Sequence, residues 1–305
     1  MISIILVTYN SMKFIKECLD TILKQTFKNY ELIIVDDGST DETADFIQKE
    51  YNLRVERLEH RGAANARNYG IKKAQGKYLC ILDSDDYFEL NMLEKMYEKA
   101  ELNNADIVIA SAYKFDNKTK EEVKLNYMVN LNACNSKNTF SPKEISGSLF
   151  QLTVANAWGK LFRKDLIINN KITFQDLHNS NDVLFVYSAI VNAKTITVID
   201  MPLVHYRFNN ENSIQGLKKK HPYDFIAAYI ELQNYLIDKK AYNTYKQSFI
   251  NMIISIFIWN LKSLDMEQKN NIIKLLKERY IAFFKINDLI EKNNKYQEFI
   301  NIVGE

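Results

Sequence analysis

Three aspartates crowd into Leu82-Asp83-Ser84-Asp85-Asp86. Carboxylates this close repel one another and resist burial, so they call for a cation or dense hydrogen bonding. An all-oxygen donor set suits a hard ion such as Mg²⁺ or Mn²⁺, and those ions bridge in turn to phosphates. Taken alone, the cluster also reads as an acidic turn. Two further polar clusters change the balance: Thr8-Tyr9-Asn10 and Asp36-Asp37-Gly38-Ser39.

The elements that must position these residues are legible in the hydrophobic pattern. The aspartates end the apolar run 78–82, which reads as a buried strand. Runs at 2–7, 32–35, 53–58, 79–82 and 107–110 read as strands. Helical spacing between them predicts helices over 14–23, 41–50, 62–75 and 90–103, the third stopped by Gly76. Such alternation predicts an α/β fold, a mainly parallel Rossmann-like sheet covered by helices. Ligands bind such sheets at the carboxyl ends of the strands, and all three polar clusters follow strands on that edge. No GxGxxG follows the first strand and no GxxxxGK[ST] occurs, which argues against a dinucleotide fold or a P-loop. Aspartates with a cation would then neutralise a diphosphate.

The 305 residues, 47% apolar and 26% charged, describe a folded soluble protein with a large core. A net charge of +2 gives no support for a nucleic-acid partner. Cys18, Cys80 and Cys134 fit neither a disulfide framework nor a zinc site, which suggests a reducing, cytoplasmic setting. The apolar start has no basic leader or cleavage site and reads as a first core strand. Residues 116–150 look irregular, with a helix from Pro142. Residues 151–214 return to a mixed pattern, with a strand at 195–199. From 215 onward the pattern is helical, and its longest apolar stretch, 252–259, is too short to span a bilayer. Lys218-Lys219-Lys220 and Lys239-Lys240 read as a solvated face, or as a peripheral contact with anionic lipid.

Val7-Thr8-Tyr9-Asn10, Val35-Asp36-Asp37-Gly38-Ser39-Thr40-Asp41, Gly62-Ala63-Ala64-Asn65-Ala66-Arg67-Asn68 and Leu82-Asp83-Ser84-Asp85-Asp86 resemble, in order, the signatures of the family 2 inverting glycosyltransferases, which have the GT-A fold. The resemblance is close over 1–112 and looser to about 214. It implies that Thr8 and Tyr9 lie at the nucleobase, with Tyr9 stacking on it. Asp37 would accept the N–H of a uracil edge, Arg67 would approach the nucleotide, and Asp83 and Ser84 would meet ribose or sugar. Asp85 would hold Mn²⁺ or Mg²⁺ on the diphosphate. Asp36 reads as structural, and Asp86 as a further carboxylate or a cap. Asn179-Ser180-Asn181-Asp182-Val183-Leu184-Phe185 resembles the family's Glu-Asp-x-x-Phe segment, so Asp182 is the candidate base, with Asn181 where Glu is common. A helix N-cap is the competing reading of Asp182. His205, in the segment that closes the catalytic domain of many bacterial members, is a candidate metal ligand or a structural histidine. Trp158, in Asn156-Ala157-Trp158-Gly159-Lys160-Leu161, is a sugar platform or a core residue.

The resemblance therefore implies a catalytic domain over 1–214, with a nucleotide-sugar half (1–112) and an acceptor half (113–214), and the helical pattern beyond it reads as a separate module over 215–305. It implies hexosyl or N-acetylhexosaminyl transfer from a UDP-sugar to a glycan or lipid-linked glycan of the bacterial surface. The rivals are a nucleotidyltransferase, whose expected basic triphosphate loop is not seen after the first strand, and an inactive glycan-binding scaffold subunit.

Overall fold

Strand β1 (Ile2–Thr8) shows how the sequence builds the centre of the molecule. Ile2, Ile4 and Leu6 face one apolar cluster, while Ile5 and Val7 face another. A strand buried on both faces reads as a continuous apolar run because side chains alternate with period two. The computed structural model describes residues 1–208 and 220–304. It repeats this pattern in β4 (Tyr78–Asp83) and β6 (Ile107–Asp116), whose alternate residues join the same two clusters.

The first half follows the expected alternation. After β1 come α1 (Ile15–Leu23), β2 (Tyr30–Asp36), α2 (Thr43–Tyr51), β3 (Val55–Arg57) and α3 (Ala63–Lys73). Strand β4 leads to a short β5 (Tyr87–Phe88), α4 (Met92–Leu102) and β6. The sheet order is β3-β2-β1-β4, then β9 (Lys160–Arg163), β6, β10 (Ile196–Phe208) and β5. Short β7 (Glu122–Lys124) pairs with β6, and β8 (Thr139–Phe140) with β10. Pairing is parallel among β1, β2, β3 and β4 and between β6 and β10. The departure is β9, which slots between β4 and β6 antiparallel to both. Nothing in its four residues announces a central strand. Strand β10 runs well past the predicted 195–199, because register shifts on either side of Pro202 let it bend and continue. The helix expected from Pro142 is two 3-10 turns, Pro142–Ile145 and Leu149–Gln151.

Helices α5 (Lys164–Asn169) and α6 (Asp182–Asn192) cover the sheet on the side of α3. The tail forms α7 (Asp224–Asp238), α8 (Tyr242–Ser263) and α9 (Met266–Leu275). A π-turn at Leu276–Tyr280 then leads to α10 (Ile281–Phe283) and α11 (Asn294–Val303). The apolar cluster beneath the sheet continues without a break from Phe162 and Phe185 into Phe225, Phe249, Phe257 and Phe299. The tail therefore shares its core with the sheet. Among the described residues no helix is long and apolar enough to cross a membrane. Lys218, Lys219 and the 214/215 boundary lie outside the described residues.

Candidate active site

Register places the polar clusters together: Thr8 pairs with Asp36 across β1 and β2, and Val7 pairs with Asp83 across β1 and β4. Asp36 is structural. It accepts the Thr8 hydroxyl at 2.9 Å and the Ser39 amide at 2.9 Å. Thr8 is fully buried and its hydroxyl is spent on that bond. Asp37 is buried too, and accepts the backbone N–H groups of Arg61 at 3.0 Å and Gly62 at 2.9 Å. Gly62 sits at φ 92, a conformation that L side chains rarely adopt, as it opens α3. Tyr9 is exposed, and its ring stacks on His60 at 4.2 Å. The His60 Nδ1 lies 2.9 Å from Asp37 Oδ2. No sequence signal pointed to His60, because its partners are distant in the chain. Ser84 is buried with its hydroxyl 2.6 Å from that of Ser11.

Arg67 is the hub. It projects from α3, and its side chain is only 5% exposed. One guanidinium nitrogen donates to Asp83 Oδ1 at 2.7 Å, and the other to Asp182 Oδ1 at 2.7 Å and Asn181 Oδ1 at 2.9 Å. The guanidinium also lies over the Phe174 ring at 5.3 Å. Burial opposes its charge, but Asp182 and Asp83 hold its pKa above the usual arginine value. One cation thus joins the end of β4 to the start of α6. Asn181 is a neutral third acceptor, so Arg67 faces two carboxylates.

Asp182 is the first residue of α6, reached through Ser180 in a left-handed conformation at φ 59. Its second oxygen accepts the Ala157 N–H at 3.1 Å. Burial pushes its carboxyl up, and Arg67 pulls it down. The Ala157 loop is tied by Lys160, a residue the motif reading passed over. Lys160 is fully buried, and its ammonium donates to the Val154 carbonyl at 3.2 Å, the Asn156 carbonyl at 2.7 Å and Asn156 Oδ1 at 3.1 Å. Burial lowers Lys160 to about 7, while the charge of Asp182 raises it. Trp158 is buried and stacked on Tyr206 with centroids 5.2 Å apart, a core position.

Asp86 accepts the Arg207 N–H on one oxygen at 2.8 Å. Its other oxygen is buried with no hydrogen-bond partner among the described residues. Burial and the charges of Asp85 and Asp83 push its carboxyl well above the carboxylate range. An orphaned carboxylate oxygen beside two more aspartates is the donor chemistry of a hard divalent cation. Arg207 also donates from Nε to the Asp85 carbonyl at 2.7 Å. The ring nitrogens of His205 meet two glutamates rather than these aspartates. Nδ1 lies 2.7 Å from Glu122 Oε1, and Nε2 lies 3.0 Å from Glu89 Oε1. The ring also stacks on Tyr87 at 4.3 Å. Side chains two residues apart on a strand share a face, and here Arg207 reaches the aspartate turn.

A mainly parallel sheet with an aspartate turn at the carboxyl end of β4, sharing its core with the helical tail, defines a GT-A architecture. TarS, a poly(ribitol-phosphate) beta-N-acetylglucosaminyltransferase of Staphylococcus aureus, has the same fold. Its residues 1–349, solved with UDP-GlcNAc, superpose with a TM-score of 0.67 at 22% identity, covering 99% of this chain and 81% of that one. The chain belongs to glycosyl transferase family 2, whose model matches residues 3–168. It is 42% identical over 121 residues to glycosyltransferase GlyG of Streptococcus pneumoniae, covering 38% of this chain and 40% of that protein. It is 31% identical over 229 residues to the uncharacterized glycosyltransferase EpsJ of Bacillus subtilis, covering 73% of this chain and 65% of that protein.

Proposed function

We propose that this protein transfers a hexose or N-acetylhexosamine from a UDP-sugar to a hydroxyl of a glycan or lipid-linked glycan in cell-surface polysaccharide synthesis, with inversion. The observation that carries the reading is the double pairing of Arg67. It holds Asp83, on the nucleotide side, and Asp182, on the acceptor side, to one guanidinium. The donor's anomeric carbon then belongs between these two carboxylates. Tyr9, with His60 behind it, offers a flat face to the base. Asp182 takes the proton of the acceptor hydroxyl as that oxygen bonds to the anomeric carbon and the diphosphate leaves with the bonding pair. Its buried setting suits that task, because burial raises its proton affinity while Arg67 draws it back down. Asp85, with Asp86 beside it, would hold Mn²⁺ or Mg²⁺, which offsets charge on the leaving diphosphate. In this reading His205 belongs to the frame around that turn, through Glu89 and Glu122.

We assign residues 1–214 to the catalytic domain and 215–305 to a helical module docked on it, working at the cytoplasmic face of the membrane with at most peripheral lipid contact. Screening UDP-sugars for Mn²⁺-dependent release of UDP tests the reading, with Asp182→Asn as the control. That variant should lose on the order of a hundredfold in turnover while binding UDP normally. Near-normal turnover would remove Asp182 from the mechanism and leave it a structural partner of Arg67 and the Ala157 N–H.

A further inference from the structure

A cluster outside this site brings two imidazoles and a carboxylate together. His178 precedes the Asp182 turn, while His221 and Asp224 open the helical module. One ligand atom from each lies within 4.8 Å of the others. We propose that His178, His221 and Asp224 form a transition-metal site, of the kind that takes Zn²⁺, which pins the segment carrying Asp182 to the first turn of α7.

The donor set decides the ion. Two nitrogens and one oxygen suit Zn²⁺ or Co²⁺ and are poor ligands for Mg²⁺, so this site is chemically distinct from the aspartate turn. The backbone frame is already closed without metal. The Asn179 N–H donates to Asp224 Oδ2 at 3.1 Å, and Asn179 Nδ2 donates to the His221 carbonyl at 3.0 Å. Ligation therefore asks for side-chain motion only. Tetrahedral donors about 2.1 Å from an ion lie about 3.4 Å apart, so the cluster must contract by no more than about 1.4 Å. The rings now stack face to face, with centroids 3.7 Å apart and 6° between planes. An ion must lie in the plane of each imidazole that binds it, so one ring has to turn. The His178 side chain is 67% exposed, so its ring has open solvent to turn into once it leaves the stack, while Asp224, at 17%, is the more enclosed member. Three protein ligands leave a fourth position for water or a substrate group. Asp182 follows His178 by four residues, so an ion here would stiffen the acceptor side of the cleft.

The test uses the full-length, tag-free protein carrying Asp85→Asn, which removes the metal ligand assigned to the diphosphate site. Zn²⁺ is titrated by calorimetry, and Co²⁺ by visible absorption. One equivalent of Zn²⁺ should bind, with a Co²⁺ spectrum of nitrogen and oxygen ligation. Adding His178→Ala or His221→Gln should weaken binding at least tenfold. Zn²⁺ should also slow amide exchange across 175–182 in the parent and not in these variants. Because His178 is exposed, its alanine variant should fold normally, and its unfolding midpoint without metal checks this. The proposal is overturned if the Asp85→Asn protein binds no Zn²⁺, or if the histidine variants bind as tightly as their parent. These readouts need no activity, so their failure would leave the glycosyltransferase reading untouched.

Discussion

Arg67→Leu tests the central claim of the site, that one buried cation balances two carboxylates. The substitution keeps an apolar stem against Phe174 and deletes three hydrogen bonds of 2.7–2.9 Å. Breaking a buried pair by removing one partner costs about 3–5 kcal/mol, because an uncompensated charge stays behind. The Asp83 side chain is 31% exposed and solvent relieves part of its burden, whereas Asp182 is 17% exposed and keeps only the Ala157 N–H. The expected cost therefore lies near the lower bound, about 3 kcal/mol. Arg67→Leu with Asp182→Asn should recover about 1–2 kcal/mol of it, because the more buried charge has gone. Urea unfolding at matched slope measures all three proteins. In catalysis, loss of Arg67 removes the largest influence that lowers the Asp182 carboxyl, so the acid limb of kcat/KM should move to higher pH. A cost below about 1 kcal/mol, or no recovery in the double variant, would refute the balance described here.

Asp85→Asn should abolish Mn²⁺-dependent UDP binding while leaving the unfolding midpoint close to that of the parent; calorimetry with UDP plus Mn²⁺ checks this, and unchanged affinity would sink the metal role. Burial holds Lys160 at about 7 in the folded protein, against about 10.4 for a free lysine, so across that window the unfolded chain binds the extra proton and stability rises with pH. Lys160→Met should flatten that rise, and parallel stability–pH curves for the two proteins would contradict the buried titration. Gly70→Ala places a methyl 2.5 Å from Ile5 Cγ2, where α3 crosses β1. Thermal unfolding should register about 1–3 kcal/mol of overpacking, and an unchanged midpoint would mean that the contact yields freely.

Local pattern was enough for β1, β2 and β4 and for the edge on which their motifs lie. A strand buried on both faces must be apolar throughout, and the polar residue that ends the run marks where the chain leaves the core. The order of the motifs carried the family for the same reason. Strand β9 was invisible, because Lys160–Arg163 is short and polar at both ends and gains its place only by pairing with β4 and β6. The inward turn of Arg67 was equally hidden. A buried guanidinium is tolerable only where carboxylates meet it, and Asp182 lies 115 residues away. His205 was drawn toward the metal by resemblance, but its ring nitrogens found Glu89 and Glu122, which lie more than 80 residues from it in the chain. The sequence determined which residues stand at the ends of β1, β2 and β4; tertiary structure alone decided which charges neutralise one another, because that depends on distances across the fold that no local pattern encodes.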